Sequence, residues 1–85
     1  MHSKDLVDCV WQKGQTVPGL DPSQYRVDDC GNLIRRNDYG NRESRLGWEG
    51  DHIIMRSKGG PTTCQNLRPL HWRPNAAGQD DGLIC

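Results

Sequence analysis

Apolar residues along the chain come in brief clusters separated by turn-forming residues, which predicts short elements joined by ordered loops. The first cluster lies within Ser3-Lys4-Asp5-Leu6-Val7-Asp8-Cys9-Val10-Trp11. Leu6 and Val10 stand four apart, so with Trp11 they form the inner face of a short helix. Ser3 is its N-cap, with a side-chain oxygen for an orphan N–H, and Gly14 is its stop. Val17-Pro18-Gly19-Leu20-Asp21-Pro22 is dense in turn formers and reads as an ordered loop. Tyr25–Asp28 and Asn32–Arg36 are strand-compatible runs around Asp29-Cys30-Gly31, a hairpin turn. The polar stretch from Asn37 to Leu46 wraps the surface.

Gly47-Trp48-Glu49-Gly50-Asp51-His52-Ile53-Ile54 predicts a third strand, which Arg56-Ser57-Lys58-Gly59-Gly60-Pro61 must break. Leu67-Arg68-Pro69-Leu70-His71-Trp72 is its return strand. Arg73-Pro74-Asn75-Ala76-Ala77 then starts a helix, with proline at the first helical position. Strand, long loop, strand and helix follow one another. The prediction is a small α+β protein with antiparallel strands and short helices: one domain over residues 1–85, a lead-in over 1–46 and a core over about 47–80. Internal repeats and low-complexity segments are absent.

Composition narrows this picture. With 85 residues, 33% hydrophobic and no Phe, the core must lean on three Trp, two Tyr and scattered aliphatics. A chain this short buries little of its surface and gains from any added restraint. The mean hydropathy of −0.88 and the short, Asp8-interrupted first cluster exclude a signal peptide or membrane span in this stretch, and a cytoplasmic location is expected. The formal net charge is zero but unevenly spread. Arg42 to Arg73 holds six basic residues against three acidic ones, a net of +3, and only that stretch suits a polyanion. Cys9, Cys30, Cys64 and Cys85 contain no C-x-x-C pair, which argues against a zinc ribbon. A disulfide pair is open to them but disfavoured in a reducing compartment, so the cysteines are read as structural rather than as metal ligands.

The chemistry-bearing pattern is a set of spacings. Asp51 directly precedes His52, Asn66 follows fourteen residues later, and Asn75 nine beyond that. Gly59-Gly60 and Asn66-Leu67 punctuate the interval. With these residues the chain resembles the HNH endonuclease family, whose fold unit is the ββα-metal motif. It is most similar to small bacterial and phage-type members with a Gly-Trp-Glu-x-Asp-His-Ile core and a final Asn. Asp29-Cys30-Gly31-Asn32-Leu33-Ile34 and Tyr39-Gly40 extend the resemblance upstream, to about two thirds of the chain.

The resemblance implies hydrolysis of DNA phosphodiester bonds with one divalent metal ion. His52 would be the general base that takes a proton from the attacking water, which needs a neutral imidazole. Asp51 and Asn75 would hold the ion. Neighbours on a strand point to opposite faces, so Asp51 and His52 do not crowd one spot. Both proposed ligands offer hard oxygen donors, which suits Mg²⁺ or Mn²⁺ better than Zn²⁺. Asn66 would brace the loop and so hold the histidine strand. A turn Asn or a helix-cap Asn accounts for Asn66 and Asn75 equally well at this level. Arg56, Lys58, Arg68 and Arg73 are the candidate DNA-phosphate contacts. His71 is read as a strand surface residue outside the catalytic set. DNA is the expected partner, with a homodimer or a second protein as the source of any specificity, and nicking with low specificity is the expected outcome.

Departures from the family pattern are specific. Gly50 stands where relatives carry Ile or Val, which removes a packing side chain from a strand. Met55 replaces a common Pro, and Ala76-Ala77-Gly78-Gln79 lacks the basic residue that usually follows the last motif position. These keep a second reading open, a catalytically degenerate module that binds nucleic acid or protein. A third, a zinc-stabilised structural domain, rests on the cysteines alone.

Overall fold

The structure is a computed structural model describing residues 3–78 together with residues 83 and 85. Helix α1 spans Lys4–Trp11. Ser3 is extended, and its hydroxyl accepts from the Leu6 N–H at 3.2 Å, satisfying a first-turn donor. The buried face is Val7, Val10 and Trp11, with Leu6 packed at its margin. Val7 thus joins the inner face expected from Leu6, Val10 and Trp11, because i and i+3 positions share a side of a helix.

Strands β1 (Tyr25–Val27) and β2 (Leu33–Arg35) form the lead-in hairpin, with Arg26 opposite Ile34. The Asp28 carboxylate closes its turn by accepting from the N–H groups of Cys30 and Asn32 at 3.0 and 2.8 Å. Buried Arg26 donates to the carbonyls of Pro22, Gln12 and Gly14, stitching the intervening loop to the hairpin.

Strands β3 (Trp48–His52) and β4 (Leu67–His71) pair antiparallel, from Trp48 opposite His71 to His52 opposite Leu67. Helix α2 (Trp72–Ala77) follows without a linker. Pro74 is its third residue rather than its first; it remains in the first turn, where a missing N–H costs no intrahelical bond. The expected order of strand, loop, strand and helix is present, within a small α+β architecture.

Trp48 has no exposed surface and anchors β3 between Trp11, 5.1 Å away by ring centroids, and Tyr39, 5.0 Å away. Ile34, Leu67 and the buried face of α1 complete this cluster. With no Phe available, tryptophans from α1 and β3 supply the bulk. The strand bearing the Asp-His pair is therefore held from beneath by the lead-in.

All four cysteines are paired. Cys9–Cys64 ties α1 to the β3–β4 loop with Cα atoms 6.0 Å apart, and Cys30–Cys85 ties the β1–β2 turn to the last residue at 5.3 Å. Both separations lie within normal disulfide reach. The cysteines are structural, as expected, but the expectation that disulfides are disfavoured is overturned, because pairing follows from α1 packing on the loop, which no local spacing reveals. It also removes the zinc-domain alternative, since disulfide sulfurs are not thiolate ligands. Among the described residues, no helix is long and apolar enough to cross a membrane.

Candidate active site

Side chains alternate along β3, so Trp48 faces the core while Glu49 and Asp51 share the opposite side. Asp51 lies opposite Arg68 on β4, whose Nε donates to its Oδ2 at 2.7 Å. Both side chains are 19% exposed, so the pair is only partly screened by solvent. Helix α2 brings Asn75 to the same side, where its Nδ2 donates to Glu49 Oε1 at 2.7 Å. One pleat step of about 7 Å separates Glu49 from Asp51 along the strand.

Arg42 grips Glu49 with two bonds, 2.7 Å from Nε and 2.9 Å from its terminal nitrogen. That bond holds the Glu49 carboxyl below its usual range; burial opposes the shift, and Asn75 adds to it. An ionised carboxylate only accepts, so the Asn75 group facing it must be the NH₂. The amide oxygen is thereby turned away from Glu49. Glu49 was missed in the sequence, although its place two residues before Asp51, on the same strand face, was a readable signal.

His52 ends β3, with Nε2 2.9 Å from the Thr62 hydroxyl of the following loop. Asp51 and His52 thus engage different neighbours, one across the sheet and one along the loop. Asn66 closes that loop. Its Oδ1 accepts from the Ile54 N–H at 2.9 Å, and its Nδ2 donates to the Ile54 and Pro61 carbonyls at 3.1 and 2.9 Å. Burial of the Asn66 side chain makes these bonds costly to lose.

The loop geometry explains the paired glycines. Gly59 has φ +83°, ending the 3₁₀ turn Arg56–Lys58 in the left-handed region. A Cβ on Gly60 would lie 1.8 Å from the Ile54 carbonyl oxygen, the acceptor that Asn66 uses. Gly50 differs: a Cβ there would meet Leu67 side-chain atoms at 3.7 Å or more, ordinary contact, so packing does not demand glycine.

Arg56 and Lys58 are exposed on the loop's 3₁₀ turn. Arg68 instead sits against Asp51, and Arg73 lies 5.2 Å over the Trp72 ring, two residues and so about 200° round α2 from Asn75. His71, expected on the surface, is 7% exposed. Its Nδ1 accepts from the Arg73 N–H, capping α2, and its Nε2 lies 2.7 Å from the Arg45 carbonyl. The Nε2–H tautomer satisfies both bonds. The burial comes from distant segments, Arg45 and the Asp28 carboxylate that accepts the His71 N–H at 2.8 Å.

Among the described residues, no three His, Cys, Asp or Glu side chains cluster as ligands. The available donors are the Asp51 carboxylate and the Asn75 amide oxygen, with Glu49 beside them. A set of one or two protein oxygens fits Mg²⁺, which keeps several waters and takes further ligands from substrate phosphate.

A family model described as HNH endonuclease matches residues 28–78, more than half of the chain. No curated protein and no solved structure matches it. The matched segment holds the turn and second strand of the lead-in hairpin, β3, the clamped loop, β4 and α2. The chain therefore belongs to the HNH endonuclease family, and its function is of the nuclease type.

Proposed function

We propose that the chain is a metal-dependent DNA endonuclease that hydrolyses phosphodiester bonds one strand at a time, with little sequence preference. The observation that carries this reading is the gathering of Asp51, Glu49 and Asn75 on one side of the β3–β4 hairpin, with His52 next in sequence at the end of β3, where the loop that Asn66 clamps begins.

Asp51 and Asn75 would hold Mg²⁺ or Mn²⁺. A bound divalent ion supplies neutralisation of the charge that develops on the phosphate and the leaving oxygen. His52 accepts the proton of the attacking water through an imidazole nitrogen. Asn66 acts through position, fixing the peptide at Ile54 and with it the end of β3. Glu49 orients the Asn75 amide and is itself restrained by Arg42, a second layer behind the ligand. Arg68 balances the Asp51 carboxylate and would offer its guanidinium to a substrate phosphate. Arg56, Lys58 and Arg73 contact the DNA backbone without reading bases.

A second copy or another protein is required for cutting both strands at one place. The two disulfides weigh against the cytoplasmic location inferred from the sequence; we assign the folded, oxidised protein to an oxidising compartment. Gly50 and the absence of a basic residue in Ala76-Ala77-Gly78 favour, as the second reading, a module that binds without cutting.

The test is conversion of supercoiled plasmid to open circles with Mg²⁺ or Mn²⁺. Nicking that disappears both in His52→Ala and with a chelator supports the nuclease reading. Plasmid left supercoiled by the intact protein under every metal refutes it in favour of the binding module.

A further inference from the structure

On the side of α2 away from Glu49, a cavity of about 510 Å³ opens between the lead-in hairpin, the segment before β3 and the first turn of the helix. Leu33, Leu46 and Pro74 form its apolar floor; Arg45, Arg73 and Asn32 form its rim, and His71 lines its back. The volume lies within the range of small-ligand sites.

Two arginines meet at this cavity, Arg45 and Arg73. Four others are held by protein acceptors, Arg36 by Asp8, Arg42 by Glu49, Arg68 by Asp51 and Arg26 by three carbonyls, while Arg35 and Arg56 are exposed on other segments. Among the described residues, neither Arg45 nor Arg73 has a carboxylate partner, both are exposed, and no carboxylate lines the cavity. His71 gives no compensating negative charge, since an imidazole carries none, and its ring nitrogens face the Arg73 N–H and the Arg45 carbonyl. Two uncompensated guanidiniums over an apolar floor attract a group that is anionic at one end and flat and apolar at the other. A nucleotide has that form.

The geometry points to a second DNA subsite here: Arg45 and Arg73 hold the phosphate of one unpaired nucleotide flanking the cut, and its sugar and base rest on Leu33, Leu46 and Pro74. Asn32 offers an amide to the sugar or base edge. Arg73 and Asn75 stand two residues apart on α2, about 5 Å between Cα atoms. A strand held in this cavity is thus kept within a few nucleotides of the Asp51–Asn75 site. The subsite rests on the nuclease reading for its biological meaning, but its occupancy does not require cleavage.

The experiment uses the oxidised full chain without metal, so that binding is read apart from catalysis. Anisotropy of a labelled twelve-residue oligothymidine is measured against salt for the wild type, for Arg45→Ala/Arg73→Ala and for Arg56→Ala/Lys58→Ala. Loss of about one phosphate contact lowers the slope of log affinity against log salt by about 0.7 on a single strand. We expect that decrease in the arginine variant, with roughly tenfold weaker binding at moderate salt. Thymidine 5′-monophosphate added to isotope-labelled protein is expected to shift the Leu33 and Leu46 methyl signals as well as the Arg45 and Arg73 side-chain signals, whereas inorganic phosphate shifts the arginines alone. Both arginines are exposed, so folding should survive the change, which circular dichroism checks. An unchanged slope in the arginine variant, or methyl signals unmoved by the nucleotide, overturns the subsite. Plasmid left uncut while the slope still falls removes the nuclease reading and leaves the subsite standing.

Discussion

Removing the Cys9–Cys64 disulfide is the most informative perturbation of stability. The bond closes a loop of 55 residues. In the chain-entropy account, a crosslink of that span removes about 14 cal/mol/K from the unfolded ensemble, or about 4 kcal/mol at 25 °C. Domains of this size are stable by roughly 0.05–0.15 kcal/mol per residue, which for 85 residues is about 4–13 kcal/mol in all. The bond thus contributes between a third and the whole of the margin. For a chain of this length each kcal/mol moves the melting temperature by about 4–8 °C, so Cys9→Ala/Cys64→Ala should melt roughly 15–30 °C lower. The local effect adds to this. Cys64 lies two residues before Asn66, and its carbonyl accepts from Lys13 Nζ at 2.7 Å, so the disulfide and that bond fix the same stretch to the lead-in. The assay is thermal and urea unfolding followed by circular dichroism, with Cys30–Cys85 left intact in both proteins. A fall in melting temperature of less than about 5 °C would refute the argument, and would mean that packing of α1 restrains the loop without the crosslink.

Two further outcomes follow from the site. Gly50→Ala should stabilise the protein by about 0.5–1 kcal/mol, because the new methyl group meets Leu67 at ordinary contact distance and the strand loses a flexible residue; a lower urea midpoint for the variant would contradict this. Glu49→Gln should weaken Mn²⁺ binding about tenfold by calorimetry, since a Gln amide both donates and accepts and no longer dictates which end of the Asn75 amide faces it. In the wild type the Glu49 carboxyl is lowered from 4.5, chiefly by Arg42, so its contribution to stability is fully present above that value and is lost as pH falls through the lowered one. With Arg42 largely in solvent that contribution is under about 1 kcal/mol at neutral pH, and the melting temperatures of the two proteins should converge in acid.

Elements whose signal is local were legible in the sequence. Ser3 announces the helix start, the Asp28–Asn32 interval the hairpin turn, and Gly59-Gly60 the break after β3. Spacing singled out Asp51, His52, Asn66 and Asn75, and it did not separate a brace from a turn at Asn66. What stayed hidden depends on contacts between distant segments. The cysteine partners lie 55 residues apart. His71 alternates as a strand-end residue would on a surface, and is buried only because the segments of Asp28 and Arg45 close over it. Glu49 was given no role in the sequence, because its partner Asn75 lies 26 residues away on α2.

The Asp28 carboxylate has a consequence for how portable this nuclease unit is. One of its oxygens ties the β1–β2 turn, and the other accepts the backbone N–H of His71, where β4 passes into α2. Trp48 is likewise covered by Trp11, a residue upstream of the family-matched segment. The β3–β4 hairpin thus shares its core with the lead-in, and cutting it out would expose the Trp48 indole. A designer grafting this site onto another protein would have to carry the first helix along, or supply an aromatic surrogate for it in the host.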